Sequence, residues 1–260
     1  MSDLILREES DGILRLTLND PATRNSLSEK MIEALHDAIS TAKARVIILS
    51  AHGPAFSSGH NLKEITARRG DADEGRRFFK RLFDKCADLM LAITNSPCPV
   101  IAEVDGLASA AGCQLVASCD LAIATDRATF CTPGVNIGLF CSTPMVALTR
   151  AVTRKHAMEM LLTGDVIPAS EALRIGLVNR VTTHNELKAV TQELAQKIAS
   201  KSGAAIKVGK QAFDRQADMP VAEAYAYMAQ VMADNLLLSD AHEGIGAFIQ
   251  KRTPAWDQDH

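Results

Sequence analysis

Residues 105–114 read Asp105-Gly106-Leu107-Ala108-Ser109-Ala110-Ala111-Gly112-Cys113-Gln114 and follow the mainly apolar run Val100–Val104, which predicts a buried strand. A second stretch, Phe56-Ser57-Ser58-Gly59-His60-Asn61-Leu62-Lys63-Glu64, follows the apolar run Val46–Leu49 after a short loop. In a parallel sheet, ligands bind beyond the carboxyl ends of the strands, where small residues let backbone N–H groups approach a ligand. The two stretches therefore predict two loops that supply converging N–H donors.

Strand and helix patterns alternate around these loops. Alternating apolar residues predict a strand over Ile13–Leu18. Ser26 and Glu29 fit a capping box for a helix whose apolar positions recur over residues 31–42. The strand at Val46–Leu49 then completes a β-α-β unit, and the continued alternation predicts a parallel α/β architecture.

The alternation of strands and helices continues along the chain and gives way to helices alone only near its C-terminal end. A long amphipathic helix is predicted from Phe79 to Ile93, and a further strand at Leu121–Thr125. From about His184 onward the pattern is helical without strands. One apolar stripe in this region is formed by Val221, Ala224, Tyr225, Met228, Val231 and Met232. Since no repeat or linker divides the chain, we expect one core, residues 1–183, and a C-terminal helical region, 184–260, that is not an independent domain.

Composition excludes several classes of function. The 260 residues carry a formal charge of −3, with 47% hydrophobic and 23% charged residues, which is typical of a globular protein. The basic residues are scattered, so the basic stripe that nucleic-acid binding requires is missing. No apolar run reaches the roughly 18 residues of a membrane span, and the first twenty residues lack a signal-peptide core. We therefore expect a cytoplasmic protein that binds neither nucleic acid nor membrane.

The cysteines and histidines do not form a metal-binding pattern. None of the seven histidines stands at H-x-x-x-H spacing, and no C-x-x-C pair occurs. We expect no metal and no disulfide framework, and we interpret the cysteines as buried reduced thiols. They are Cys86, Cys98, Cys113, Cys119, Cys131 and Cys141.

Neither loop matches G-x-G-x-x-G, a P-loop or G-x-S-x-G, so dinucleotide, phosphoryl-transfer and serine-hydrolase functions lose their main support. Together, in this order and about fifty residues apart, the loops resemble the enoyl-CoA hydratase/isomerase (crotonase) family. The resemblance covers nearly the whole chain. It comprises Asn25-Ser26-Leu27, Phe56 to Glu64, Val104 to Asp120, Phe130 to Gly138, Leu161-Thr163-Gly164, Ala169, Ala172, Gly176-Leu177-Val178, Glu243-Gly244, Ala247-Phe248 and Lys251-Arg252. Within the family, residues 110–120 and 132–136 resemble one subgroup in particular.

The resemblance implies a ClpP/crotonase-type α/β fold of repeated β-β-α units, with a C-terminal helical region that forms a homotrimer or a dimer of trimers. It also implies a lyase or isomerase of fatty-acid and acyl-CoA metabolism. Such a protein binds an acyl-CoA thioester with the carbonyl oxygen in a hole of two backbone N–H groups, which stabilise the enolate. Matching places these donors at His60 and Ala111. Coenzyme A enters as part of the substrate, and no separate cofactor is implied.

The chain departs from the family at the two glutamates that serve hydratases as general base and acid. Matching places them at Gln114 and Gly134, and neither is a carboxylate. A neutral amide has no usable proton affinity near pH 7, and glycine brings no side chain. General acid–base catalysis contributes roughly 10²- to 10⁴-fold, so we expect weak or absent hydratase activity with the hole intact.

Other residues are candidates for the proton transfers that the two family glutamates perform. The imidazole of His60 is one of them, because histidine titrates near neutral pH. Carboxylates near the predicted loops are Glu103, Asp105 and Asp120, for which capping or solvation is the simpler interpretation. The thiols of Cys113 and Cys141 stand near predicted helix starts, where packing is the simpler interpretation.

Two alternative functions stay open. Gly59-His60 and the Thr132-Pro133 segment without glutamate are similar to an acyl-CoA decarboxylase of the family, which needs mainly an enolate hole. A non-catalytic acyl-CoA binder or assembly subunit is the other. The resemblance further implies substrate contacts at Ser58, Asn61 and Leu62. It implies another at Lys251, whose cation suits the phosphate of a CoA bound to the same or to a neighbouring subunit.

Overall fold

In the computed structural model, which describes residues 3–257, ten strands form two sheets. The first sheet has six strands in the order β1-β2-β3-β5-β7-β10, all parallel except the β1–β2 pair. Its strands are β1 Ile5–Ser10, β2 Ile13–Leu18, β3 Val46–Ala51, β5 Val100–Val104, β7 Leu121–Thr125 and β10 Arg180–Thr182. The second has the order β4-β6-β8-β9 and consists of β4 Ala55–Ser57, β6 Leu107–Ser109, β8 Thr129–Cys131 and β9 Ile167–Pro168.

Two strands followed by a helix recur along the chain, which confirms the expected β-β-α repeat. The pairs β3–β4, β5–β6 and β7–β8 divide between the two sheets, whereas β1 and β2 both lie in the first sheet. The helices of the first two repeats are α1 Glu29–Ser40 and α2 Leu62–Ala67, the latter followed by α3 Arg76–Thr94. The later ones are α4 Ala111–Ser118, α5 Ser142–Ala151, α6 Arg154–Thr163 and α7 Ala169–Arg174. The crotonase fold class is thus confirmed.

The apolar sequence pattern accounts for the packing of the large sheet. Strand β2 is buried along its whole length, because the main core covers one face and a smaller apolar cluster around Ala195 covers the other. The polar residues of β2 on the second face are paired: Arg15 donates to Glu103 at 2.5 Å, and Thr17 bonds Ser50 at 2.9 Å. Burial on both faces, with polar groups paired, is what a central strand requires.

Two local expectations differ from the structure. Helix α1 is capped by Ser28, whose hydroxyl accepts the Met31 N–H, so the expected capping box of Ser26 and Glu29 is wrong. The Ser26 hydroxyl instead donates to Thr23 at 3.0 Å, because the chain turns at Pro21–Thr23 before the helix begins. The long helix was expected from Phe79, and it extends from Arg76 to Thr94.

The C-terminal region is helical, as expected, and a buried lysine ties it to the core. Its helices are α8 Leu187–Ala199, α9 Gly203–Ala217, α10 Val221–Leu236 and α11 Ser239–Gln250. The ammonium of Lys210 on α9 donates to Asp120 at 2.7 Å and to the carbonyls of Ile93 and Cys98. The predicted boundary between the core and the helical region, at 183/184, falls between β10 and α8 and stays a prediction. The outer ends of the two predicted regions, residues 1–2 and 258–260, lie outside the described residues.

Within residues 3–257, no helix combines the length and apolar character that crossing a bilayer requires. All six cysteines are free. Five are buried, as expected, and Cys119 is half-buried.

Candidate active site

Two glycines, Gly59 and Gly112, bring the two loop segments 56–64 and 105–114 into direct contact. A Cβ added at Gly59 would lie 3.2 Å from the Ala111 nitrogen and 2.9 Å from the Ser109 carbonyl oxygen. A Cβ added at Gly112 would overlap the Ser57 carbonyl oxygen and lie 2.8 Å from the Ser57 Cβ. Only residues without a side chain permit so close an approach of two backbones. The predicted convergence of the two loops is therefore present.

The first N–H donor, that of Ala111, belongs to the first residue of α4. The first N–H groups of a helix have no partner within the helix, and the dipole favours negative charge there. The preceding residue, Ala110, has φ 49° and ψ −115°, a conformation that L-residues rarely adopt. Its N–H donates to Cys131 at 2.9 Å and its carbonyl accepts from Gln114 at 3.0 Å, which holds this backbone in place. Such strain is characteristic of functional positions.

The second N–H donor, that of His60, is directed by a bridge to Leu27. The Leu27 N–H donates to the Gly59 carbonyl at 2.8 Å, and Leu27 and His60 form an isolated parallel bridge. In such a pair the bridged residue's own N–H points away from the partner. Within the described residues, neither this N–H nor that of Ala111 has a backbone acceptor, so each is free to bind a ligand.

The side chain of Asn25 fixes the segment that holds the first loop. Asn25 is fully buried, and its amide donates at 2.8 Å to the carbonyls of both His52 and Ala55. Its side-chain oxygen accepts the Asp20 N–H at 2.8 Å, and its backbone carbonyl accepts from the Ser57 hydroxyl at 2.8 Å. From its sequence position Asn25 was predicted only to be part of a helix entry. In the structure its φ is 52°, a conformation that asparagine adopts more readily than most residues, and its turn-forming neighbours Asn19-Asp20-Pro21 were the available signal.

The His60 ring is held by a backbone carbonyl and an aromatic edge. Its Nδ1 lies 3.2 Å from the Leu27 carbonyl oxygen, and its centroid lies 5.2 Å from that of Phe83 in an edge-to-face arrangement. Its Nε2 is buried without a partner among the described residues. Burial lowers the pKa of His60, and the hydrogen bond to Leu27 opposes this only in part. The imidazole is therefore neutral near pH 7.

The two positions that family matching assigns to glutamates lie in buried surroundings. Gln114 is on the first turn of α4 and is 4% exposed, and its Oε1 is buried without a partner among the described residues. Gly134 lies in a 3-10 turn, Pro133–Ile137, and has an ordinary φ. A Cβ there would lie 3.0 Å from both the Cys141 sulfur and the Leu139 carbonyl oxygen. One of the two positions thus holds a buried amide, and the other holds a glycine whose surroundings leave little space for a side chain.

The nearby carboxylates are engaged elsewhere. Asp105 accepts from Arg127 Nε at 2.7 Å and from the Thr125 hydroxyl, and the Arg127 guanidinium in particular lowers the pKa of Asp105 to about 2. Glu103 is paired with Arg15, and Asp120 with Lys210. Each of these carboxylates already binds a cation of the protein, so its oxygens are not free to exchange a proton with a ligand.

The thiols near the site are protonated at neutral pH. Burial raises the pKa of Cys113 and of Cys141, although Cys141 precedes α5 and a hydrogen bond from the Gly134 backbone opposes the shift at Cys141. A thiolate is the nucleophilic form of cysteine. Their interpretation as packing residues is therefore supported over that of activated nucleophiles.

The other expected contact residues have distinct surroundings. The Asn61 side chain caps α2 by accepting from the N–H groups of Lys63 and Glu64. The Ser58 hydroxyl donates to Thr23 at 3.2 Å, and Leu62 is 51% exposed at the start of α2. Their roles toward a substrate stay predictions.

Lys251 lies apart in sequence from the loops, at the C-terminal end of α11. It is exposed and has φ 55°, which ends the helix. The following Arg252 pairs with Glu243. Among residues 3–257, no group of three or more His, Cys, Asp or Glu side chains is arranged to hold a metal ion.

Comparison with known proteins identifies the family. The sequence profile of the enoyl-CoA hydratase/isomerase family matches residues 8–259. The chain belongs to this family. Its members named for a substrate act on acyl-CoA thioesters: the 2,3-dehydroadipyl-CoA hydratase of Escherichia coli is 30% identical over 259 residues, which cover 98% of each chain.

The narrower subgroup indicated by residues 110–120 and 132–136 is also confirmed. The mouse enoyl-CoA hydratase domain-containing protein 3, mitochondrial, is 50% identical over 252 residues, covering 95% of this chain and 82% of the mouse protein. The crystal structure of the human protein has a TM-score of 0.93 and 48% identity, covering 98% of this chain and all of that one. An enoyl-CoA hydratase structure from Mycobacterium smegmatis has a TM-score of 0.92 and 45% identity, covering 98% and 99%.

These relatives correct the expected location. The vertebrate relatives are named mitochondrial, which contradicts a cytoplasmic protein. The cytoplasmic expectation rested only on the lack of an apolar run long enough for a secretory signal or a membrane span. Mitochondrial transit peptides are amphipathic and basic instead, so that criterion does not distinguish cytoplasm from mitochondrion.

Proposed function

We propose that this member of the enoyl-CoA hydratase/isomerase family binds an acyl-CoA thioester and stabilises its enolate through the backbone N–H groups of His60 and Ala111. The observation that carries the proposal is the approach of the two loops at Gly59 and Gly112, beside two N–H groups without backbone acceptors. Each preorganised donor of this kind contributes roughly 10²- to 10³-fold in rate, because it is already placed where charge develops.

Weak hydratase activity is part of the same proposal. Addition of water needs one proton removed from oxygen and one delivered to carbon, and the family uses two carboxylates for this. Here Gln114 and Gly134 stand at those positions, while Glu103, Asp105 and Asp120 are bound in ion pairs. The site therefore retains enolate stabilisation and lacks the carboxylate pair for hydration.

A mass-spectrometric screen tests this function. The purified protein is incubated with enoyl-, 3-hydroxyacyl- and malonyl-type CoA thioesters, beside the Gly59→Ala variant, whose new Cβ would press on the Ala111 nitrogen. Turnover of any thioester that is lost in Gly59→Ala supports enolate chemistry at this hole, and loss of CO₂ from the malonyl type would identify decarboxylation. Binding without turnover of any thioester would identify a non-catalytic binder and contradict the proposal.

Lys251→Ala is expected to weaken CoA binding. We propose that its exposed ammonium contacts a CoA phosphate, and such a contact is screened by salt. Calorimetric titration at two ionic strengths should show lower affinity and a flatter salt dependence, by about one charge contact. Lys43→Ala, at another exposed position, is the matched control. Equal affinity of Lys251→Ala and wild type would exclude this residue from the site.

The protein is expected to form trimers or hexamers. Helix α10 buries no residue completely, and its stripe leaves Val221 73%, Tyr225 77% and Met232 60% exposed. An apolar face of this kind normally packs against another surface, and closed symmetric assemblies are the usual solution. Light scattering measures the mass directly. A 28.0 kDa particle at micromolar concentration would contradict the proposal.

A further inference from the structure

The loop that offers the His60 N–H also carries a titratable ring whose outer nitrogen has no protein partner. Nδ1 lies 3.2 Å from the Leu27 carbonyl oxygen, which can only accept, so Nδ1 carries the proton. Nε2 then carries a lone pair. This nitrogen is buried and has no hydrogen-bond donor within residues 3–257. A buried polar atom left unpaired is costly, so its retention calls for a ligand group that pairs with it.

A second unpaired acceptor lies on the other loop. The Gln114 Oε1 is buried without a donor, three residues after the Ala111 N–H. The two loops thus present two N–H donors without backbone acceptors and two side-chain acceptors without donors. A ligand that satisfies this arrangement carries an oxygen acceptor together with hydrogens that can be donated or transferred.

The groups packed around the ring do not compete for this role. The ring touches Phe83 on α3, which has no polar atom. Of the charged side chains on adjoining elements, Glu64 on α2 accepts the Glu29 N–H at 3.1 Å, and Arg81 on α3 pairs with Glu29. Burial is the leading influence on the ring, and it favours the neutral form that can accept a proton.

We propose that His60 Nε2 is the general base of this site and that it works alone, as a one-base proton shuttle for an acyl-CoA thioester. Its lone pair takes a proton from the carbon next to the thioester carbonyl, and the C–H electron pair moves to the carbonyl oxygen between the two N–H donors. The imidazolium then returns its proton to the same carbon, or to the far carbon of a 3-enoyl chain. Atoms and charge balance without a co-reactant.

This inference rests on the proposed enolate hole, so its test separates the two. The probes are 3-butenoyl-CoA, whose deuterium uptake from D₂O is followed by mass spectrometry, and acetoacetyl-CoA, whose enolate absorbs in the near ultraviolet. The second ligand is acidic enough to ionise without an enzymic base, so it reports on the hole alone. His60→Asn keeps an N–H for the Leu27 carbonyl and removes the base, and His60→Gln is a second variant without a base.

Both variants are expected to lose deuterium uptake roughly 10²- to 10⁴-fold while keeping the bound enolate spectrum. In the wild type, uptake should rise with pH and level off above an apparent pKa below the ordinary histidine value, since the free base is the active form. The same change at the half-exposed His36 of α1, His36→Asn, should leave both readouts unaltered. Unchanged deuterium uptake in His60→Asn, with the enolate spectrum retained, would overturn the assignment of His60 as the general base. An absent spectrum in the wild type would overturn the proposed hole and this inference with it.

Discussion

The double variant Gln114→Glu/Gly134→Glu is expected to hydrate crotonyl-CoA at least roughly 10²-fold faster than the wild type, which should hydrate it slowly or not at all. Hydration requires two carboxylates that hold one water between them, and the wild type has neither at these positions. A single carboxylate leaves one of the two proton transfers unassisted. Residues that act as a unit contribute non-additively, so each single variant should gain far less than the double. Initial rates of double-bond loss, followed by ultraviolet absorbance or by product chromatography, are measured for the wild type, the two single variants and the double variant.

The surroundings of the two positions set the design of this experiment. Gln114 is buried, so a carboxyl there will have a raised pKa, which suits a proton donor. Gly134 tolerates a side chain by its φ, and the obstacle is space: a Cβ would lie 3.0 Å from the Cys141 sulfur. Adding Cys141→Ala to the double variant relieves that contact and is the matched comparison. Rapid hydration by the wild type would show that another pair of groups serves as acid and base.

Gly112→Ala is expected to cause the largest loss. Its methyl group would overlap the Ser57 carbonyl oxygen, and backbone atoms cannot move aside as a flexible side chain can. Overpacking costs about 3 kcal/mol at such a site, which lowers the melting temperature by roughly 10 °C and separates the two loops. Thermal unfolding and acyl-CoA affinity should therefore fall together.

Gly209→Ala is the control for this loss. Gly209 lies within α9 with nothing within 4 Å of an added Cβ, so alanine should stabilise the helix by about 0.5–1 kcal/mol. If Gly112→Ala melts and binds like Gly209→Ala, the two loops do not approach as closely as described.

Sequence patterns predicted the elements that strong periodicity marks. The runs at Val46–Leu49 and Val100–Val104 are buried strands, and the two loops after them converge. Strand β1, in contrast, was missed, because Ile5–Ser10 has an exposed edge rich in charge and does not alternate clearly. Three-residue strands such as β4 and β6 were missed as well, since a segment that short has no measurable period.

The details of the candidate site depend on tertiary contacts that no local pattern encodes. The positive φ of Ala110 is imposed by hydrogen bonds to residues from β8 and α4. The tautomer of His60 depends on the Leu27 carbonyl, 33 residues away. Ion pairs decide that Glu103 and Asp105 are unavailable for proton transfer, and their partners, Arg15 and Arg127, are distant in sequence.

The central claim is that the N–H groups of His60 and Ala111 stabilise an enolate, and the ionisation of bound acetoacetyl-CoA tests it most directly. Near-ultraviolet difference spectra against pH give the apparent pKa of the ligand, free and bound. Two preorganised donors, each worth about 3 kcal/mol, should lower that pKa by roughly four units in the wild type, and much less in Gly59→Ala. Acetoacetyl-CoA that binds to the wild type and keeps its solution pKa would contradict the account.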